Sequence, residues 1–220
     1  MRILAVTDIH GRYAAVTKIA ERETPDILIV GGDLTTIGTV HEAEEAIRTF
    51  RSVCPMLLCV AGNMDTHEHD ALFERLDVSI NGRGVIIDGV GFFGVSAAPI
   101  SPLHTPNEVT EEEIARRAAL GCHQTKDARL KVFVPHAPPY GTRVDIIHAG
   151  IHVGSTAVRD FIEQENPDIV VCGHIHEARG QDMIGTTRIV NCGAASNGCY
   201  CLIEIDELGA IIIENRRQTG

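Results

Sequence analysis

An α/β fold follows from three features of this sequence: short apolar runs rich in β-branched residues, helical spacing between the early runs, and a second half in which Gly and Asp turns separate the strands. The runs are Ile3 to Val6, Ile27 to Val30, Met56 to Val60, Lys131 to Val134 and Ile169 to Cys172. They are mostly continuous rather than alternating, as strands covered on both faces are. Between the early runs, Val40, Ala43, Ile47 and Phe50 fall on one helix face, which makes the first half a βαβ arrangement. Later, "GVIIDGVGFFGVSA" and "TTRIVNCGA" read as strands and turns, and "CYCLIEIDELGAIIIE" as a hairpin.

Two further helices carry their own start signals. Thr110 and Glu113 match a capping box ahead of Ile114, with Gly121 as the expected stop. Ser155 precedes Ala157, Val158, Phe161 and Ile162. A long polar, proline-containing loop is expected around Pro99 to Pro106. No repeat, low-complexity tract or Ser/Gly-rich linker divides the 220 residues, so residues 1–220 are expected to form one domain.

Composition narrows the functional classes. Apolar residues make up 44% and charged residues 22%, a globular balance. No apolar run reaches the roughly 18 residues needed to span a bilayer, and the apolar core of "MRILAVTDIHG" is too short for a signal peptide. A cytoplasmic protein without a membrane partner is therefore expected. The seven cysteines, at 54, 59, 122, 172, 192, 199 and 201, contain no C-x-x-C pair, so buried, reduced thiols are expected rather than disulfides or a zinc knot. A net charge of -11 argues against nucleic acid as a partner. It does not exclude a small phosphate-bearing substrate, because divalent cations reverse the local field. The oligomeric state, including a homo-oligomer, is left open.

Each predicted strand is followed within a few residues by a potential metal ligand: Asp8 and His10, Asp33, Asn63, His136, then His174 and His176. The carboxyl ends of strands line the ligand crevice of open α/β sheets, so these loops are expected to converge. Any one of these residues alone would more often cap a turn. Mixed Asp, Asn and His donors suit Mn, Fe, Zn or Ni, and seven donors exceed the needs of one ion. Two divalent ions about 3.5 to 4 Å apart would use them all and form a clamp for displacement at phosphorus.

The blocks "DIHG", "GGDL", "GNMD", "VPHAPP" and "GHIH", in this order from Asp8 to His176, resemble those of the calcineurin-like metallophosphoesterases, and "TPNEVTEEEI", "HVGS" and "GHIHEARG" resemble a prokaryotic and archaeal branch of small phosphoesterases. The resemblance implies a four-layer α-β-β-α sandwich with two mixed β-sheets. It implies Asp8, His10 and His176 on one metal ion, Asn63, His136 and His174 on the other, and Asp33 bridging them. Asp33, Asn63 and His136 are the candidate catalytic residues, and a metal-bridging hydroxide is the expected nucleophile for in-line attack.

One position departs from the family pattern. Where most relatives carry a histidine that protonates the leaving oxygen, this chain has Met64, and Asp65, which in relatives orients that histidine, has lost its partner. Asp65 is expected to cap a local turn or to contact another histidine. The loss removes general-acid assistance, a factor of about 10² to 10⁴, and weighs most on poor leaving groups. The expected activity is therefore a metal-dependent phosphodiesterase acting on a small phosphodiester or nucleotide. The alternative is a catalytically weak scaffold or binding protein that kept the fold. His67, His69 and His104 are candidate substitute donors, though each is more simply a solvated loop residue. The His152 to Ser155 stretch could present helix-start amides to an anion but more simply caps that helix. Arg143 and Arg179 could grip a phosphate but more simply form surface ion pairs, and Asn191 is expected to be structural.

Overall fold

The computed structural model describes residues 1–218. In chain order the elements are β1 (Arg2–Val6), α1 (Tyr13–Glu23), β2 (Ile27–Gly31), α2 (Val40–Val53), β3 (Leu57–Val60), α3 (His67–Arg75), β4 (Gly84–Ile87), β5 (Val90–Val95), β6 (Ala98–Pro99), β7 (Glu108–Val109), α4 (Glu111–Gln124), β8 (Leu130–Pro135), α5 (Thr156–Glu165), β9 (Ile169–Cys172), β10 (Gly180–Ile184), β11 (Thr187–Asn191), β12 (Cys199–Ile205) and β13 (Ile211–Arg217). All five apolar runs are strands, and "CYCLIEIDELGAIIIE" is the antiparallel hairpin β12–β13.

Two mixed sheets result. One has the order β13-β12-β1-β2-β3 and the other β10-β11-β9-β8-β5-β4. Within the first, β1, β2 and β3 are parallel, with Val6 opposite Val30 and Gly31 opposite Val60, so their carboxyl ends lie side by side. Within the second, β8 and β9 are parallel, with Phe133 opposite Val170.

Alternation along each strand sends side chains into separate apolar layers. Leu4, Val6 and Val30 meet Ile19, Ile47, Phe50 and Phe73 under α1, α2 and α3. Ile3, Ile29 and Val60 face Phe92, Val132 and Val171 between the sheets. Phe93, Phe133 and Val170 meet Ile114, Phe161 and Ile162 under α4 and α5. Three cores between four layers give the α-β-β-α sandwich.

Two helix signals require correction. Gly121 does not stop α4, which runs on to Gln124. A Cβ at Gly121 would lie 2.8 Å from the Phe93 Cβ and 3.1 Å from the Arg83 carbonyl oxygen, so this glycine lets the helix press onto the sheet. Thr110 caps α4 through the Glu113 amide, but the Glu113 side chain turns instead to Arg116 and Arg117. A capping box with both bonds occurs at α2, between Thr39 and Glu42. All seven cysteines are buried and free. No described helix is long and apolar enough to cross a membrane.

Candidate metal centre

The parallel strands release their chains at one edge, and the seven predicted ligands form one cluster there. Ligand atoms of Asp8, His10 and His176 lie within 4.8 Å of one another, as do those of Asp8, Asp33 and His136. His176 Nε2 is 3.2 Å from Asp8 Oδ1, and His10 Nε2 is 3.8 Å from Asp33 Oδ2. Asn63 Oδ1 is 3.0 Å from His136 Nε2 and 2.9 Å from His174 Nδ1, which joins the remaining residues to the group.

The backbone is bent to achieve this. Asp8, His10, Asp33 and His174 all have left-handed φ values, of 55°, 48°, 50° and 66°. Such conformations cost non-glycine residues energy and persist only where neighbours over-determine them. Here the amide of Asp8 donates to Gly32 O, those of Ile9 and His10 to Asp33 O, and that of Gly11 to Leu34 O, lacing the first two loops together. Two glycines give the room. A Cβ at Gly62 would lie 2.0 Å from Asp33 Oδ1, and one at Gly173 would lie 2.3 Å from Asp8 Oδ2.

Backbone groups aim the side chains. His136 Nδ1 donates to Gly31 O at 2.9 Å, which leaves Nε2 facing the cluster. The Met64 amide donates to Asp33 Oδ1 at 2.7 Å, and the His174 amide reaches both Asp8 oxygens at 3.1 Å. Buried Asn191 is structural, as its sequence context suggests. Its Nδ2 bonds Gly173 O and Ile175 O, and its Oδ1 accepts the Gly193 amide, steadying the loop that bears His174.

Electrostatics show what the cluster lacks. Burial, with the charges of Asp8 and Asp65 nearby, raises Asp33 to about 7 despite the opposing pull of His136. Burial would raise Asp8 too, but the hydrogen bond to His176 and the imidazole charges hold it well below the usual carboxylate range. Burial beside His136 pushes His174 down to about 3, and burial lowers His10 as well. The bond to Asp8 raises His176.

These residues fit divalent cations. With Nδ1 donating to Gly31 O, His136 turns Nε2 toward Asn63 Oδ1 at 3.0 Å, and His174 Nδ1 lies 2.9 Å from the same oxygen, so three ligand atoms converge. Two buried carboxylates share the space. Such an arrangement is costly unless positive charge sits among the donors.

Other sequence expectations resolve differently. Among the described residues Asp65 forms no hydrogen bond or ion pair with a histidine; its buried carboxylate accepts the amides of Leu34, Thr35 and Gly62 and the Thr35 hydroxyl, clamping the Asp33 loop to the Asn63 loop. His69 is buried, with Nδ1 accepting the Thr66 amide at the start of α3. His67 and His104 are exposed, and among the described residues neither side chain makes a hydrogen bond. The start of α5 does hold an anion, but it is the chain's own Glu111, which accepts the Thr156 and Ala157 amides. His152 is instead paired with Asp145 at 2.7 Å. Arg143 and Arg179 are exposed, and among the described residues neither guanidinium forms an ion pair. Sequence reasoning did not find Asn107, which donates to Asn63 O and Gly62 O from a distant loop. Its only signal was the polar character of that loop.

The comparisons agree with this architecture. An uncharacterized protein of Methanocaldococcus jannaschii is 36% identical over 195 residues, covering 87% of this chain and 87% of that protein. A crystal structure from Thermus thermophilus superposes with a TM-score of 0.75 at 20% identity, over 97% of this chain and 98% of that one. The anchor of the Plasmodium inner membrane complex does so with a TM-score of 0.65 at 11% identity, over 99% and 84%. The two structural likenesses establish the fold alone, and one fold hosts several functions. A family model matches residues 1–178, the span that holds every ligand candidate above, and the chain belongs to the calcineurin-like phosphoesterases.

Proposed function

We propose that this chain is a metal-dependent phosphoester hydrolase that favours diesters. One observation carries the reading: Asp8, His10, Asp33, Asn63, His136, His174 and His176 gather from five strand ends with donor atoms facing one another. Asp8, His10 and His176 would hold one ion, Asn63, His136 and His174 a second, and Asp33 both. When bound, divalent cations supply positive charge against the phosphoryl oxygens and lower the pKa of water. Mn, Fe, Zn and Ni all suit this donor set.

The chain's own residues define the rest. Gly31 O orients the His136 ring, and the Met64 amide fixes Asp33. His136 and Asp33 are buried while His10 and His176 reach solvent, so the substrate approaches from the His10 and His176 side. Met64 can neither donate nor accept a proton, and this favours ester groups that depart without help. A diester with an acidic leaving group meets that condition better than an alkyl monoester.

The test combines calorimetric titration with Mn, Zn and Ni and kinetics on matched aryl monoesters and diesters. Binding of two ions with diester preference, both lost in Asp33→Asn, is the expected result. Monoester preference overturns the diester reading, and two bound ions without any turnover favour the scaffold alternative.

A further inference from the structure

Met64 is half-buried, and the two loops pinned to its turn both carry apolar side chains into water. On one side the Ile37 amide donates to Met64 O at 3.0 Å, and the Ile37 side chain is 66% exposed. On the other, the Asn107 amide donates to Asn63 O at 3.0 Å and its Nδ2 to Gly62 O at 3.1 Å. Asn107 is the base of the segment between β6 and β7, whose Ile100 and Leu103 are 64% and 81% exposed.

The Glu108 carboxylate accepts the amides of Ser101 and Thr105 at 3.0 and 2.9 Å and both their hydroxyls at 2.8 and 2.7 Å, tying the segment into a closed strap. Ile37 has φ 55°, a left-handed conformation that a β-branched residue adopts only under strain. Water would be better served by a polar residue here, and the backbone by Asn or Gly. An exposed and strained isoleucine is thus unfavourable on two independent grounds, the pattern expected where function opposes stability.

Resting on the diesterase reading above, we propose that Ile37, Met64, Ile100 and Leu103 form an apolar rim beside the metal centre that receives an apolar ester group of the substrate. The substrate class is a small phosphodiester with an alkyl or aryl substituent, bound by its phosphate at the cluster and by its substituent on the rim. Met64 then serves as a contact surface where a histidine would leave an unsatisfied polar group against the substituent. The Glu108 strap presents this surface ready-made, so little ordering opposes binding.

The experiment uses the full chain loaded with Mn. Calorimetry with methylphosphonate and hexylphosphonate measures the rim without any turnover. The hexyl compound is expected to bind about tenfold more tightly than the methyl compound, and the ratio is expected to fall toward one in Leu103→Ser and in Ile37→Asn. Ile37→Asn is also expected to raise the Tm, since Asn tolerates the left-handed conformation. Kinetics on 4-nitrophenyl methyl and 4-nitrophenyl hexyl phosphodiesters should follow the same ratio in KM. Equal phosphonate affinities in the unmodified chain, a ratio preserved in both variants, or loss of both ligands in both variants overturns the rim. So does co-sedimentation with phosphatidylcholine vesicles that either variant abolishes, which would assign these side chains to a lipid surface. Absence of turnover alone counts against the diesterase reading, and the phosphonate ratio still judges the rim.

Discussion

The Asp65 carboxylate is locked onto Thr35, accepting its amide at 2.8 Å and its hydroxyl at 2.9 Å. Asp65 also accepts the Leu34 and Gly62 amides at 3.1 and 2.9 Å, so a single buried side chain sets the spacing between the loops of Asp33 and Asn63. Asp65→Ala strands three buried amides, each worth about 1 to 3 kcal/mol. Urea unfolding is expected to show a loss of about 3 kcal/mol or more, with Mn affinity weakened at least about tenfold as the loops part. Asp65→Asn keeps one oxygen and should lose less. An alanine variant with unchanged stability would show that the clamp carries no weight.

Much of this was readable beforehand, and the reason is local. The apolar runs and the ligand after each of them are consecutive in sequence, and a strand end needs no distant information to place the next residue. Asp65 was different. From the sequence it looked like a turn cap, whereas three of its four donors come from residues whose proximity depends on how the sheet pairs β2 with β3. Gly121 misled for the same reason: a glycine in a helical pattern reads as a stop, and only the packing of α4 against Phe93 reveals why the missing Cβ matters. Glu111, Asn107 and the Glu108 strap depend on contacts between loops far apart or irregular, which periodicity does not encode.

Gly62→Ala should damage the site while sparing the fold. Its Cβ would fall 2.0 Å from Asp33 Oδ1, so the carboxylate must move. Mn affinity is expected to fall about 100-fold, with far-UV circular dichroism unchanged. Gly150→Ala is the control. Unlike Gly62 it has a positive φ, of 75°, but its Cβ would meet nothing within 4 Å, and it should cost only about 1 to 2 kcal/mol with metal binding intact.

Met64→His tests the proposal that position 64 supplies no general acid. A histidine there would find Asp65 already committed to four donors, so it would lack an orienting partner. The gain on alkyl leaving groups is expected to be about tenfold, below the usual 10² to 10⁴ of a well-held acid. A leaving-group series measures it directly. Acceleration confined to good leaving groups would argue that the imidazole does not transfer a proton.

Acid sensitivity should come partly from Glu23, far from the metal centre. Burial alone would raise its pKa, but the Tyr200 hydroxyl and the guanidinium groups of Arg2, Arg216 and Arg22 hold it below the usual glutamate value. A depressed pKa stabilises the fold fully above the unfolded value of about 4.3. That contribution is lost as pH falls through the folded value. Glu23→Gln should therefore cost about 2 kcal/mol at pH 7 and flatten the decline in unfolding free energy between pH 5 and pH 3. An unchanged acid limb would place that sensitivity elsewhere.

The left-handed turns at Asp8, His10, Asp33 and His174 have a consequence for when the site is made. Their geometry is enforced by hydrogen bonds between neighbouring loops, so the cradle takes shape as the polypeptide folds rather than when ions arrive. Metal loading is then expected to be a late event, separable from biosynthesis, and one batch of protein is expected to accept different metals in turn.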